Sequence, residues 1–395
     1  MSLECHHCGA RFRQVELHPG ECARCNRCDS LLDSYSRLKP SHWLAIVIAT
    51  FIIFVIANAY PIATLTFQGL SQSARFIDAV TVTLKDGYWE VATVTFFVAF
   101  LLPFFHMLLL VWLLFPLAIG RQGVGVEAGL KLFKLIKPWS MVPVLLLGII
   151  VTIVKMAGMA TLIPGIGLVA TALTAVMITL LSQLNYHSLH LMLQDYGVKF
   201  SEKHQPKPPS LKSINRTWAL LATAVILYIP ANLLPIMQIT MFGQSSGHTI
   251  MGGVIELAQY GSWDLAAIIF IASILVPTAK IIILGTLVWL TQQRSTSNLK
   301  QRTKYYKFVE FVGQWSMIDV FVVILLCALG QFGAVLSIQP NAGVIAFAGV
   351  VVLTMVAAMG FDPRLAWRRA GYFATFSSSL KKNEYDRSLT SNSNN

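Results

Sequence analysis

The chain has 395 residues, 55% of them hydrophobic and only 12% charged. A soluble domain carries about 25% charged residues, so this balance, with a mean hydropathy of +0.63, excludes an ordinary soluble enzyme or binding module. The net charge of +12 falls in the segments between apolar runs, where it reads as a membrane-topology signal and not as a nucleic-acid footprint.

Residues 1–40 form a polar, Cys-rich segment, "CHHCGARFRQVELHPGECARCNRCDSLL" from Cys5 to Leu32. Because polar sequence comes before the first apolar run, no cleavable signal peptide is expected. Cys5-x-x-Cys8 is one zinc knuckle. The second is open, since Cys22, Cys25 and Cys28 form overlapping CxxC pairs. Four thiolates around Zn²⁺ can fix a segment too short to build its own core. His6, His7 and His18 could each replace a sulfur, and an iron or redox-active thiol site is the competing account.

Eight apolar runs of bilayer length follow, at about 43–66, 89–115, 139–158, 165–184, 216–238, 264–291, 315–336 and 341–360, each near the ~20 residues that a spanning helix needs. The expected class is an all-α polytopic membrane protein with eight transmembrane helices. Of the 30 Lys and Arg, 26 fall in the amino-terminal segment, the loops 116–138, 184–216 and 292–314, and the tail. That bias puts these segments and both termini in the cytoplasm, where disulfides are not expected. Cys327, alone in an apolar run, reads as packing.

The two halves share a pattern at an offset of 174 residues: Asn58-x-x-Pro61 returns as Asn232-x-x-Pro235, Gly87-x-Trp89-Glu90 as Gly261-x-Trp263-Asp264, and Pro103 as Pro277. After a slip to 176, Trp139-Ser140-Met141 returns as Trp315-Ser316-Met317, and Pro164 as Pro340. An internal duplication is expected. It gives a first four-helix repeat over 41–198, a cytoplasmic linker at 199–215 and a second repeat over 216–370. An even number of spans per repeat gives both the same polarity. The Ser/Asn-rich tail 371–395 is expected to be disordered. In the Asn-x-x-Pro pairs, proline removes a helical donor and the asparagine amide can satisfy the freed backbone. A structural kink is the simpler account, and a place in a substrate path the other.

Four polar positions in the second repeat form a candidate transport or proton-relay cluster. Lys280 and Asp319 each lie about eleven residues from a helix end, on the order of 16 Å deep at 1.5 Å per residue. Opposite charges at equal depth make an expected pair. Ser273 lies two turns from Lys280, and Thr354 is the hydroxyl of the last run expected to reach them. The first-repeat counterparts are Ala99, His106, Pro143 and Ile178, so folding alone does not require the cluster. A plain helix-docking ion pair is the competing account. Lys155 is expected to snorkel, and Glu90 and Asp264 to cap helices at the opposite rim.

Together, the CxxC ribbon, the duplicated Asn-x-x-Pro and Trp-Ser-Met motifs, and "FDPRLAW" at 361–367 resemble the paraquat-inducible protein A family over residues 1 to about 370. In that family's ribbon phrase, C-x-R-C-x-x-x-L, Cys25 and Cys28 fit better than Cys22 and Cys25. The resemblance therefore implies Cys5, Cys8, Cys25 and Cys28 as structural zinc ligands, with Cys22 as the alternative. Residues 184–215 contain no cysteine, a departure from members that carry a second ribbon there. The resemblance further implies a Gram-negative inner-membrane protein that passes lipid to a periplasmic tunnel partner built of MCE domains. With no phosphate-binding Walker loop, ATP hydrolysis is not expected, nor is any other catalysis. The competing classes are an autonomous secondary transporter of a small solute and a thiol or quinone redox protein.

Overall fold

A computed structural model describes residues 2–13, 21–34, 38–67, 70–121, 125–140, 142–157, 161–184, 186–195, 211–242, 244–259, 261, 263–332, 336–371, 376–377 and 381–382. His18, most of the linker 199–215 and most of the tail lie outside the described residues, as do the side chains of Lys155, Asp264 and Asp319.

The Cys-rich segment folds as two short antiparallel hairpins, β1 (Ser2–Glu4) with β2 (Arg11–Arg13), and β3 (Cys22–Arg24) with β4 (Leu31–Ser34). From the ribbon, α1 (Pro40–Ala59) runs to a hairpin of β5 (Ala63–Phe67) and β6 (Leu70–Ala74), followed by α2 (Phe76–Lys85). The chain returns through α3 (Trp89–Phe96), a π-helical turn at 97–101 and α4 (Leu102–Ala118). Next come α5 (Val126–Ile136), α6 (Val142–Ala157), β7 (Thr161–Pro164), α7 (Ile166–Leu181) and α8 (Tyr186–Asp195).

The same order of elements then recurs. It comprises α9 (Lys212–Leu233), β8 (Met237–Met241), β9 (Gln244–His248), α10 (Ile250–Gln259), α11 (Trp263–Phe270), a π turn at 271–275 and α12 (Val276–Gln292). It closes with α13 (Leu299–Trp315), α14 (Ile318–Leu329), β10 (Leu336–Pro340), α15 (Ala342–Gly360) and α16 (Arg364–Arg369). Each half ends its helices, away from the ribbon, in a three-stranded antiparallel sheet of order β6-β5-β7 or β10-β8-β9. In the tail, two dipeptides expected to be disordered, β11 (Phe376–Ser377) and β12 (Lys381–Lys382), pair with ribbon strands β2 and β3.

Five helical rods are long and apolar enough to cross a bilayer: Pro40–Ala59, Trp89–Ala118, Lys212–Leu233, Ile271–Gln292 and Ala342–Gly360. The other three expected runs fall on shorter apolar helices, Val142–Ile153, Ile166–Leu181 and Val320–Leu329. Outward faces stay apolar: Ile52, Trp112, Val176, Ile226 and Ile229 are all exposed. That surface suits lipid, and the chain is a membrane protein.

The π turns have a local cause. Proline has no N–H and its ring collides with the carbonyl four residues back. For Pro103 and Pro277 that carbonyl belongs to Ala99 and Ser273, inside the widened turn, which absorbs the clash.

The Asn-x-x-Pro pairs work differently from the expectation. The Asn58 and Asn232 amides donate to Phe54 O and Tyr228 O, each at 2.8 Å, not to the carbonyl that the proline frees. The prolines lie beyond the helix ends, and their own carbonyls accept N–H groups from the starts of α7 and α15, Pro61 O from Gly167 and Pro235 O from Gly343. These bonds satisfy donors that a helix N-terminus otherwise leaves open.

A second difference concerns 315–336. The expected single helix is broken at Ser316-Met317, so α14 starts at Ile318 and Asp319 is its second residue. The equivalent Trp-Ser-Met stretch separates α5 and a 3-10 turn from α6. Among described side chains, every one of α14 is buried. The helix packs on α6, α2 and α3 of the first half as well as on α15 of its own, and a helix apolar on every face after Asp319 belongs in such a core.

Candidate functional site

The ribbon brings four thiols together. Cys5 N donates to Ala10 O and Gly9 N to Cys5 O, and the second knuckle repeats the pattern with Cys25, Ser30 and Asp29, all at 2.8–2.9 Å. This pair of matched turns holds Cys5, Cys8, Cys25 and Cys28 buried, with their sulfurs within 4.8 Å of one another. Cys5 and Cys28, and Cys8 and Cys25, approach to 3.5 Å. Zn–S bonds of about 2.3 Å set tetrahedral S···S separations of about 3.8 Å, so the donor set and spacing fit a tetrahedral thiolate metal. Cys22 is half-buried and is not part of the group. Donation from Cys25, then Cys5 and Cys8, holds the Cys28 thiol far below its ordinary range.

The ribbon is docked on the second half, and this gives "FDPRLAW" a physical role. Arg364 pairs with Asp362 at 2.7 Å and reaches Glu4 of β1 at 3.2 Å. The Arg27 guanidinium lies over the Trp367 ring at 4.7 Å, and Trp367 Nε1 donates to Thr303 Oγ1 at 3.1 Å.

Deep in the second half, Lys280 is 2% exposed. Its ammonium donates to Thr354 Oγ1 at 3.1 Å and to Ser316 Oγ at 3.3 Å. Thr354 thus reaches Lys280 as expected. Ser316 was missed, although its place in the repeated Trp-Ser-Met phrase marked it. Ser273 is buried but lines a separate cavity of about 50 Å³, with Val322 and Phe347. The expected Lys280–Asp319 contact involves a side chain outside the described residues.

A larger cavity, of about 900 Å³, opens between the two halves beneath the ribbon. His6, His7 and Leu32 line it from the ribbon, Phe133, Lys137 and Ile178 from the first half, and Lys307, Glu310 and Met355 from the second. Lys137 donates to Ser182 O and Leu184 O, both at 2.8 Å. Burial pushes its ammonium down to about 8 and raises the Glu310 carboxyl. Burial, and then the Lys307 charge, lower the His7 imidazole.

The model of the family described as paraquat-inducible protein A matches residues 41–192 and 214–371. The intermembrane transport protein PqiA of Escherichia coli K12 is 30% identical over 411 residues, covering 92% of this chain and 95% of that protein. A probable intermembrane transport protein of Haemophilus influenzae is 29% identical, covering 93% of this chain and 95% of its own length. The lipophilic envelope-spanning tunnel protein A of Escherichia coli K12 is 26% identical, covering 92% and 90%. No solved structure matches the chain.

Proposed function

Since the chain belongs to the paraquat-inducible protein A family, we propose that it is the inner-membrane subunit of an intermembrane lipid transport system. In this reading eight helices cross the inner membrane as two tandem repeats of one polarity. Both termini and the ribbon are cytoplasmic, and the two small sheets face the periplasm. Lipid passes between the inner membrane and a periplasmic tunnel partner built of MCE domains. A single structural Zn²⁺ sits in the four-thiolate ribbon. Supporting the transport role are the names of the relatives, which record intermembrane transport and an envelope-spanning tunnel. The excess of Lys and Arg at the ribbon end supports the orientation.

The observation that carries the coupling is the buried Lys280 ammonium, held by the hydroxyls of Ser316 and Thr354. A lysine at the centre of a spanning helix costs about 2.5–3.5 kcal/mol on insertion scales, so it is a poor choice for a merely structural contact. Asp319, at the start of α14, supplies the carboxylate of a proton-responsive switch. A movement of α14 relative to α12 changes the distance between amine and carboxylate, and a proton leaves or joins the pair. Ser273, in the π turn that precedes Lys280, lines a separate cavity and is a second polar position on the same helix.

The test is replacement of Asp319 by Asn and of Lys280 by Met. Both variants should insert, bind zinc and retain the partner, while lipid transfer in reconstituted membranes falls to background. Full transfer by either variant would overturn the coupling.

A further inference from the structure

The first half carries a counterpart of the Lys280 cluster that its own side chains leave incomplete. His106 stands at the place of Lys280, Ser140 at that of Ser316, and Ile178 at that of Thr354. In the second half the amine is bonded to both hydroxyls. In the first, His106 Nε2 and Ser140 Oγ are buried with no hydrogen-bond partner among the described residues. His106 is 3% exposed, and a buried polar atom without a partner is costly unless something else fills the role.

Both side chains line the cavity of about 900 Å³. Its charged lining consists of Lys134, Lys137 and Lys307 against one carboxylate, Glu310. Pro143 and Val144, in the first turn of the 16-residue helix α6, form part of the wall. A helix start adds the positive end of its dipole, although Pro143 itself has no N–H to donate. The rest of the lining is largely apolar, with Phe133, Ile178 and Met355 among it. Donors and cations therefore line one largely apolar chamber that runs from the ribbon down to the depth of His106.

We propose that this cavity binds the phosphate of an anionic phospholipid, with His106 Nε2–H and the Ser140 hydroxyl donating to its oxygens and the lysines supplying counter-charge. The acyl chains lie along the apolar wall between the halves. A lipid phosphate and a free phosphate share the headgroup chemistry. The size and apolarity of the chamber favour the lipid, and this assignment rests on the lipid-handling role above. The site then takes lipid from the leaflet on the ribbon side, at the end of the molecule opposite the sheets.

Native mass spectrometry of the zinc-loaded full chain, released from nanodiscs, tests this. The probes are phosphatidylglycerol, phosphatidylcholine and inorganic phosphate. Wild type should retain phosphatidylglycerol over phosphatidylcholine by about tenfold, equivalent to 1.4 kcal/mol. His106→Leu and Lys134→Glu/Lys307→Glu should each abolish that preference while remaining monodisperse. The second variant leaves the buried core untouched and guards against misfolding. An unchanged preference in both variants overturns the proposal. Displacement of the lipid by millimolar inorganic phosphate, with no headgroup preference remaining, overturns the lipid assignment in favour of a free anion. Asp319→Asn should keep the preference, so failure of the coupling and failure of this site give different results.

Discussion

Lys280 and His106 occupy corresponding places in the two halves; the lysine is bonded to two hydroxyls, whereas His106 Nε2 has no hydrogen-bond partner among the described residues. The sequence placed both basic side chains at that depth, paired Lys280 with Asp319, whose side chain lies outside the described residues, and expected Thr354 to reach the group. It could not rank Ser316 above Ser273, because both serines are buried and only the helix break at 316–317 brings the Ser316 hydroxyl to the Lys280 ammonium. The ribbon ligands were legible as far as Cys5 and Cys8. Spacing alone left the overlapping pairs open, the family resemblance favoured Cys25 and Cys28, and the turn geometry buries those two and leaves Cys22 aside. Cys28→Ser should therefore drop zinc from about one per chain toward none, while Cys22→Ser keeps it, as read by elemental analysis. Lys137 makes a pH prediction. Its folded value is pushed down to about 8 from 10.5, so between those values the unfolded chain binds the extra proton. Stability contributed by this residue thus rises with pH across that window and is absent below about 8. Lys137→Met should flatten the rise in thermal midpoint between pH 8 and 10.5.

At the scale of elements, each Asn-x-x-Pro turn forms a close seam with α7 or α15. A Cβ added at Gly343 would lie 2.6 Å from Pro235 O, and one at Gly167 would lie 2.5 Å from Tyr60 O. Backbone oxygens on a sheet-bounded turn cannot retreat, so Gly343→Ala should destabilise by about 1–3 kcal/mol. A fall in the thermal midpoint of the detergent-solubilised protein would show it, and no change would mean that the turn yields. The apolar runs were readable because bilayer thickness fixes their length. The sheets were not, since their strands are five residues or shorter and sit at the ends of helices. Reading 315–336 as one helix failed because hydropathy is continuous across a break that backbone geometry makes. The π turns were foreshadowed by Pro103 and Pro277, whose place inside long apolar runs demanded some adjustment of the ladder.

Across the whole molecule, the ribbon is a brace. Glu4 and Arg27 tie it to α16 of the second half, while its β4 strand rests against α8 of the first. Arg364→Ala removes the link among Glu4, Asp362 and the helix that follows. Limited proteolysis should then cut between the ribbon and α1 several-fold faster while zinc stays bound, and unchanged cleavage would show that the remaining contacts, Trp367 and α8 among them, suffice for docking. The division into two halves was visible in sequence as a shared spacing of Trp, Pro and Asn. What spacing could not convey is that α14 belongs to the second half by sequence and to both by packing. This has a consequence for synthesis. When the ribosome has delivered residues 1–198, the surfaces of α2, α3 and α6 that α14 covers still face lipid or an insertion factor. The first half is born with a vacant socket, and its native packing must wait until about residue 329 has entered the bilayer.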